Sequence, residues 1–192
     1  MKTTVLTLIT VLGFTLGFAQ ENLTINTEKS TIHWIGEYAF YFGGHEGNIN
    51  FKEGYFLKNK DGMIYGGEFT IDMNSIVCTD NGKIDKDSGL VEHLKNEDFF
   101  EVNTYPTSKL VITDVRYETS TRLKIYANLT IKDITKRIDF RAEVDYDKQQ
   151  MSTKFKIDRT LWGITFNSKE VEGKLKDGLI SDAIGFEVDL RL

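Results

Sequence analysis

Residues 123–132 read LKIYANLTIK, and residues 137–146 read RIDFRAEVDY. In both stretches every second residue is apolar and the residues between them are polar. Successive side chains of a β-strand point to opposite faces, so this alternation predicts strands with one buried and one solvent-facing side. A single wet face is typical of antiparallel sheets. The two stretches therefore indicate an antiparallel, all-β protein.

The same alternation recurs along most of the chain. It is strong in residues 151–157 and 184–190, and weaker in the rows at 32–34, 49–51, 69–73 and 110–112. Turn signals separate the rows at Gly43-Gly44, Asp61-Gly62, Asp147-Lys148 and Asp177-Gly178. Long half-buried strands joined by short turns favour a closed barrel, because closure removes exposed edges. A β-sandwich is the alternative architecture.

One stretch, residues 74–106, lacks the alternation. Within it, Leu90, Leu94 and the pair Phe99-Phe100 have near-helical spacing, and Asp87 or Ser88 is available as an N-cap. We predict a short amphipathic helix in a long connection.

The first 19 residues have the pattern of a secretory signal. Lys2 precedes an apolar stretch, and Gly17 and Ala19 supply the small residues of a cleavage site. The apolar stretch is shorter than the ~20 residues that cross a bilayer. We therefore predict a signal peptide over 1–19, a single barrel domain over 20–192, a periplasmic or secreted location, and no stable membrane insertion.

Composition and net charge limit the classes of function that this protein can have. With 24 Lys+Arg against 29 Asp+Glu, the net charge is −5, so no basic excess is available for nucleic acid. Cys78 is the single cysteine, which excludes an internal disulfide, and we expect it to be buried. No motif calls for a cofactor, so none is expected.

Candidate reactive residues are few. His93 and Glu97 would share one helix face, and His45 could join them with Glu46 or Cys78 as further ligands. The chain has no H-E-x-x-H, paired C-x-x-C or G-x-S-x-G motif. We assign no catalytic residue and no metal ligand. The alternative function is a periplasmic metal-binding protein or enzyme that uses His45, His93 and Glu97.

The alternating rows predict a common apolar interior. A barrel of about eight strands either fills with side chains or encloses a small ligand, and the pattern alone fits both. The residues that we place in this interior are Trp34, Phe51, Phe69, Ile71, Leu110, Ile112, Ile125, Leu129, Phe140, Phe155 and Phe186.

Three blocks of sequence resemble a known family. They are GGHEGNINF at 43–51, followed by Gly54; GGEFTIDMNSI at 66–76, followed by HLKNEDFF at 93–100 and Tyr105-Pro106; and DRTLWGI at 158–164. Together they are similar to the YceI-like family of exported bacterial lipid-binding proteins.

The resemblance implies an extended, lipocalin-like barrel of eight antiparallel strands around a long apolar ligand. The ligand would be a polyisoprenoid, an isoprenoid quinone or a fatty-acid derivative, carried without catalysis. The chain departs from the usual family pattern at His45, where a small residue such as Ser is common, and at Trp162, where Phe or Tyr is usual. We add Trp162 to the apolar lining and assign His45 and Arg159 to the ligand head group. The oligomeric state, including a homodimer, is left open.

Export of the full-length chain should remove residues 1–19, leaving a soluble mature protein that begins at Gln20. Mass analysis of the N-terminus after osmotic release checks this prediction. An exported protein that retains Met1 would contradict it.

Overall fold

The computed structural model describes residues 21–40, 42–168 and 179–192. The predicted signal peptide and the predicted turn at Asp177-Gly178 lie outside these residues and stay predictions. The described residues form nine strands and one α-helix, with one-turn 3₁₀ helices at Asp80–Gly82 and Arg159–Trp162. In chain order these elements are β1 (Glu21–Thr24), β2 (Thr31–Tyr38), β3 (Gly44–Lys58), β4 (Ile64–Cys78), α1 (Gly89–Lys95), β5 (Thr107–Tyr117), β6 (Arg122–Ile131), β7 (Ile134–Asp145), β8 (Gln150–Asp158) and β9 (Ile180–Arg191).

Strands β2 to β9 form a closed antiparallel ring. From β3 to β9 each strand pairs with its predecessor in the chain, and β2 pairs with both β3 and β9. The predicted eight-stranded barrel is therefore confirmed and the sandwich is excluded. A ninth short strand, β1, pairs with residues 55–58 at the far end of β3.

The ring is incomplete between β7 and β8. Their pairing runs only from Asp145 opposite Gln150 to Ala142 opposite Thr153, whereas β8 pairs with β9 along its whole length. Beyond Thr153 the two strands diverge, and the 3₁₀ helix at Arg159–Trp162 contacts β7 and β9 there. This part of the wall is thus closed by side chains and by a turn of helix instead of by a backbone ladder.

Alternation along the strands builds the interior. On β6 the side chains that point inward are almost completely buried, with relative exposures of 0% for Leu123, 1% for Ile125 and 0% for Ala127. Arg122 and Asn128, on the same strand, are exposed. The inward rows of the ring merge into one cluster that runs along the barrel. A second cluster, around Phe99, Ile157 and Trp162, fills one end.

The long connection between β4 and β5 contains the predicted helix, which ends at Lys95, so that Phe99 and Phe100 lie beyond it. Helix α1 begins after Ser88, whose hydroxyl accepts a hydrogen bond from the Val91 backbone N–H at 3.3 Å. Val91 is buried and the helix packs against β4. We call the end of the barrel that carries α1 and the 3₁₀ helix at Arg159–Trp162 the helix end. No helix in the described part of the chain is long and apolar enough to cross a membrane.

Gly47 is required where β2, β3 and β4 meet. A Cβ at this position would lie 1.9 Å from the Val77 carbonyl oxygen and 2.5 Å from the Trp34 ring. Gly47 pairs with Trp34 on one side and Cys78 on the other. The absent side chain leaves the space that the Trp34 indole occupies.

Replacing Gly47 by alanine should lower the free energy of unfolding by about 3 kcal/mol, because the backbone carbonyl cannot yield without disturbing the ladder. Urea denaturation measures the change. Gly89→Ala is the control, since a Cβ there meets nothing within 4 Å. Equal stability of the two variants would contradict the proposed close packing.

Candidate functional site

The barrel encloses an apolar cavity of about 220 Å³. Eleven of the twelve residues that the sequence placed in the apolar interior line it, from Trp34 on β2 to Phe186 on β9. The eleven are Trp34, Phe51, Phe69, Ile71, Leu110, Ile112, Ile125, Leu129, Phe140, Phe155 and Phe186. The interior therefore contains open space that its side chains do not fill.

Three phenylalanines from neighbouring strands stack along one side of the cavity. The Phe140 and Phe155 rings lie 4.7 Å apart at 17°, and the Phe155 and Phe186 rings lie 5.4 Å apart at 30°. Phe140 and Phe155 face each other across the opening between β7 and β8. The stack therefore covers the part of the wall that lacks a backbone ladder between β7 and β8.

The connection between β4 and β5 also lines the cavity. Leu90, Leu94, Phe99 and Phe100 cover its helix end. We predicted the helix from the spacing of these same residues but did not assign them to the site. Amphipathic spacing could have identified an inward face, although it does not show what that face covers.

Trp162 does not line the cavity, which corrects the expectation from sequence. It is fully buried in the second cluster, and its indole N–H donates to the Leu129 carbonyl at 3.2 Å. This hydrogen bond and the αL conformation of the following Gly163 hold the indole behind the lining. Its described contacts are those of a packing residue.

Arg159 borders the cavity but uses its guanidinium to hold backbone. Its N–H groups donate to the carbonyls of Ile164 at 2.7 Å, Ser181 at 3.1 Å and Ile180 at 3.3 Å. The side chain is 1% exposed, with Asp182 at 3.7 Å. Desolvation lowers the pKa of Arg159, partly offset by Asp182. The ordinary value lies so far above neutral that the group stays charged.

His45 lies at the helix end, and its ring is one of the few polar groups on the cavity wall. Its Nε2 lies 3.1 Å from the Tyr38 hydroxyl and its Nδ1 lies 2.6 Å from Asp80 Oδ2. Burial opposes ionisation of Asp80. Hydrogen bonds from His45, the Glu46 backbone and Cys78 outweigh that effect, so the pKa of Asp80 is lowered.

The residues of the alternative metal or catalytic site are not brought together. His93 contacts Asp98 at 3.1 Å and packs against Phe99 and Phe166. Among the described residues, neither His93 nor Glu97 shares a three-ligand cluster with His45. The described residues therefore do not form a three-ligand metal site from His45, His93 and Glu97.

Trp34 lines the cavity, whereas Cys78 lies behind the lining beside His45. The Trp34 indole N–H is buried and has no hydrogen-bond partner among the described residues. Cys78 is buried as expected, and burial is the main reason that the pKa of its thiol is raised.

The fold and the cavity define an antiparallel β-barrel with an enclosed, mainly apolar interior. Residues 23–192 match the model of the YceI-like domain. The chain therefore belongs to the YceI-like family.

Solved structures share the fold. BcnA from Burkholderia cenocepacia aligns with a TM-score of 0.66 at 16% identity, over 86% of this chain and 98% of that one. A polyisoprenoid-binding domain from Saccharophagus degradans aligns with a TM-score of 0.56 at 11% identity, over 87% and 95% of the two chains. The YceI protein of Campylobacter jejuni aligns with a TM-score of 0.50 at 18% identity, over 98% and 97%. Comparison with curated proteins gives no match.

Replacing Arg159 by methionine should lower the free energy of unfolding by about 3 kcal/mol, because three backbone carbonyls lose their charged donor. Arg159→Lys should recover only part of this loss, since one ammonium cannot reach all three oxygens. Chemical denaturation measures both. Arg122→Met is the control, because Arg122 forms an exposed ion pair with Glu143. An unchanged Arg159→Met stability would contradict the structural role.

Proposed function

We propose that this protein is an exported, non-enzymatic carrier that encloses one long apolar molecule in the barrel. The ligand class is a polyisoprenoid, an isoprenoid quinone or a fatty-acid derivative. The supporting observation is the cavity itself, whose lining is almost entirely aliphatic and aromatic. Membership of the YceI-like family and the polyisoprenoid-binding domain among its structural neighbours support the same ligand class.

Burial supplies the binding free energy. Removing apolar surface from water contributes about 25 cal/mol per Å². A ligand whose hydrocarbon tail buries several hundred Å² therefore gains on the order of 10 kcal/mol of binding free energy, before the cost of ordering the tail is subtracted. No hydrogen bonds or ion pairs are needed along the hydrocarbon tail of the ligand, so a flexible hydrocarbon is suitable.

The size of the cavity implies movement on binding. Its volume of about 220 Å³ is smaller than that of a typical pocket for a drug-sized ligand, about 300–1,000 Å³. A long chain must therefore displace lining side chains. We expect this displacement at the Phe140–Phe155–Phe186 stack, because Phe140 and Phe155 face an opening in the β-ladder.

The polar end of the ligand would lie at the helix end. His45 and Tyr38 line the cavity there, and the His45 ring is partly exposed. We retain Arg159 as a second head-group candidate, although three of its N–H groups already have backbone partners. Export through the signal at residues 1–19 would bring the carrier to the periplasm or outside the cell.

Phe140→Trp should block the cavity with little cost to the empty barrel. We expect affinity for a fluorescent long-chain fatty acid to fall at least tenfold, while the melting temperature of the unliganded protein changes little. Titration of the probe and a thermal melt measure the two effects. Competition with unlabelled prenols of increasing length then ranks the ligand class.

Tyr146→Trp is the matched control, because Tyr146 is about half exposed and lies outside the cavity lining. It should bind the probe as the wild type does. If the wild type binds no probe and Phe140→Trp loses ~1–3 kcal/mol, as overpacking of a filled core would predict, the carrier proposal is wrong.

A further inference from the structure

Each of the three histidines lies beside a carboxylate. His33 pairs with Glu46 at 3.2 Å, His45 with Asp80 at 2.6 Å, and His93 with Asp98 at 3.1 Å. The His45 pair differs from the other two because a thiol joins it. His45, Cys78 and Asp80 place one nitrogen, one sulfur and one oxygen within 4.8 Å of one another, and no other such trio occurs in the described ranges.

Backbone hydrogen bonds fix the relative positions of the three residues. The Thr79 N–H donates to the Glu46 carbonyl at 2.8 Å, which ties the chain after Cys78 to the strand that carries His45. The Cys78 N–H donates to the Asp85 carbonyl at 2.9 Å. The trio is therefore held together by main chain from two strands and the following turn.

Outer hydrogen bonds orient two of the three side chains. The Glu46 N–H donates to Asp80 Oδ1 at 3.0 Å, leaving Oδ2 for His45. The Tyr38 hydroxyl lies 3.1 Å from His45 Nε2, on the far side of the ring from Asp80. Histidines that bind metals are usually oriented in this way, with the second ring nitrogen engaged by a polar neighbour.

We propose that His45 Nδ1, Cys78 Sγ and Asp80 Oδ2 form a binding site for a zinc-type divalent cation. Mixed nitrogen, sulfur and oxygen ligands suit Zn²⁺ and disfavour Ca²⁺ and Mg²⁺, which prefer oxygen. A thiolate and a carboxylate also balance the two positive charges of the ion. Three protein ligands leave a fourth coordination position for water, as in open zinc sites.

The geometry needs a small adjustment to admit the ion. With Zn–N and Zn–O distances of about 2.0–2.2 Å, tetrahedral ligand atoms lie roughly 3.4 Å apart. Nδ1 and Oδ2 must therefore separate by about 0.8 Å from their hydrogen-bonded distance of 2.6 Å. The His45 and Asp80 side chains are 40% and 31% exposed, so both have room to move.

To bind the ion, the neutral His45 ring must give up the Nδ1 proton that it donates to Asp80 Oδ2 and take up a proton on Nε2, where it donates to the Tyr38 oxygen. Cys78 releases its thiol proton to solvent. Binding therefore weakens as the pH falls, because protons compete for the thiolate and the imidazole.

The test is titration of the mature protein with Zn²⁺ by calorimetry and with Co²⁺ by absorption. We expect one ion per chain, a thiolate-to-Co²⁺ charge-transfer band, and protection of Cys78 from alkylation under mildly denaturing conditions. Cys78→Ser should abolish the band and weaken Zn²⁺ binding more than tenfold. Asp80→Asn should weaken it similarly, and Tyr38→Phe by about tenfold through loss of ring orientation.

His93→Gln is the matched control, because His93 has the same carboxylate pairing without a thiol. It should bind like the wild type. Absence of a one-to-one site in the wild type would overturn the proposal, as would undiminished binding in both Cys78→Ser and Asp80→Asn. The cysteine-protection measurement needs no variant, so a variant that fails to fold does not obscure the result. Uptake of the long-chain probe is measured separately and does not decide this point.

Discussion

Closure of the antiparallel ring is the constraint on which the other features depend. Once β2 pairs with both β3 and β9, and β3 with β4, the ring closes, and a free strand edge remains where β7 and β8 diverge. Period-two alternation then sends half of the side chains inward, and these side chains must share one interior. The closest fit occurs at Gly47, where the wall must be bare so that the Trp34 indole can lie against it. The inward-pointing residues of the strands therefore determine the polarity of the cavity.

Closure of the barrel is interrupted between β7 and β8. Where β7 and β8 diverge, no backbone ladder fixes their spacing, and the stacked rings of Phe140 and Phe155 bridge the opening. Nearby, Arg159 holds the carbonyls of Ile164 and Ile180 with a buried charge. Side-chain contacts therefore hold this part of the wall together in place of backbone hydrogen bonds.

Polar groups concentrate at the helix end for a physical reason. The chain leaves the sheet there in long connections, whose backbone and side-chain groups need partners that the ladder does not supply. The Tyr38–His45–Asp80 network meets this need where β2, β3 and the turn after β4 converge. The cavity therefore has an apolar length and one polar end, a distribution that suits a ligand with a tail and a head group.

The local features of the fold could be predicted from the sequence. Alternation predicted the strands and the barrel, and the spacing of Leu90, Leu94 and Phe99-Phe100 predicted the helix. Both are properties of neighbouring residues, so they can be read without knowing the partners. The same alternation placed eleven interior residues on the cavity lining, because a closed ring has only one inside.

Other contacts depend on strand register and on the path of the connections, so only the folded structure shows them. Asp80 reaches His45 across 35 positions because β3 and β4 pair. Trp162 turns away from the cavity because a carbonyl of β6 accepts its N–H. The β6–β7 turn at Lys132 and Asp133 has φ values of 49° and 60° without a glycine, so the Asn-Gly or Asp-Gly pair typical of such turns is absent there. Such contacts join residues whose separation in the sequence carries no periodic signal, and only the assembled barrel brings them together.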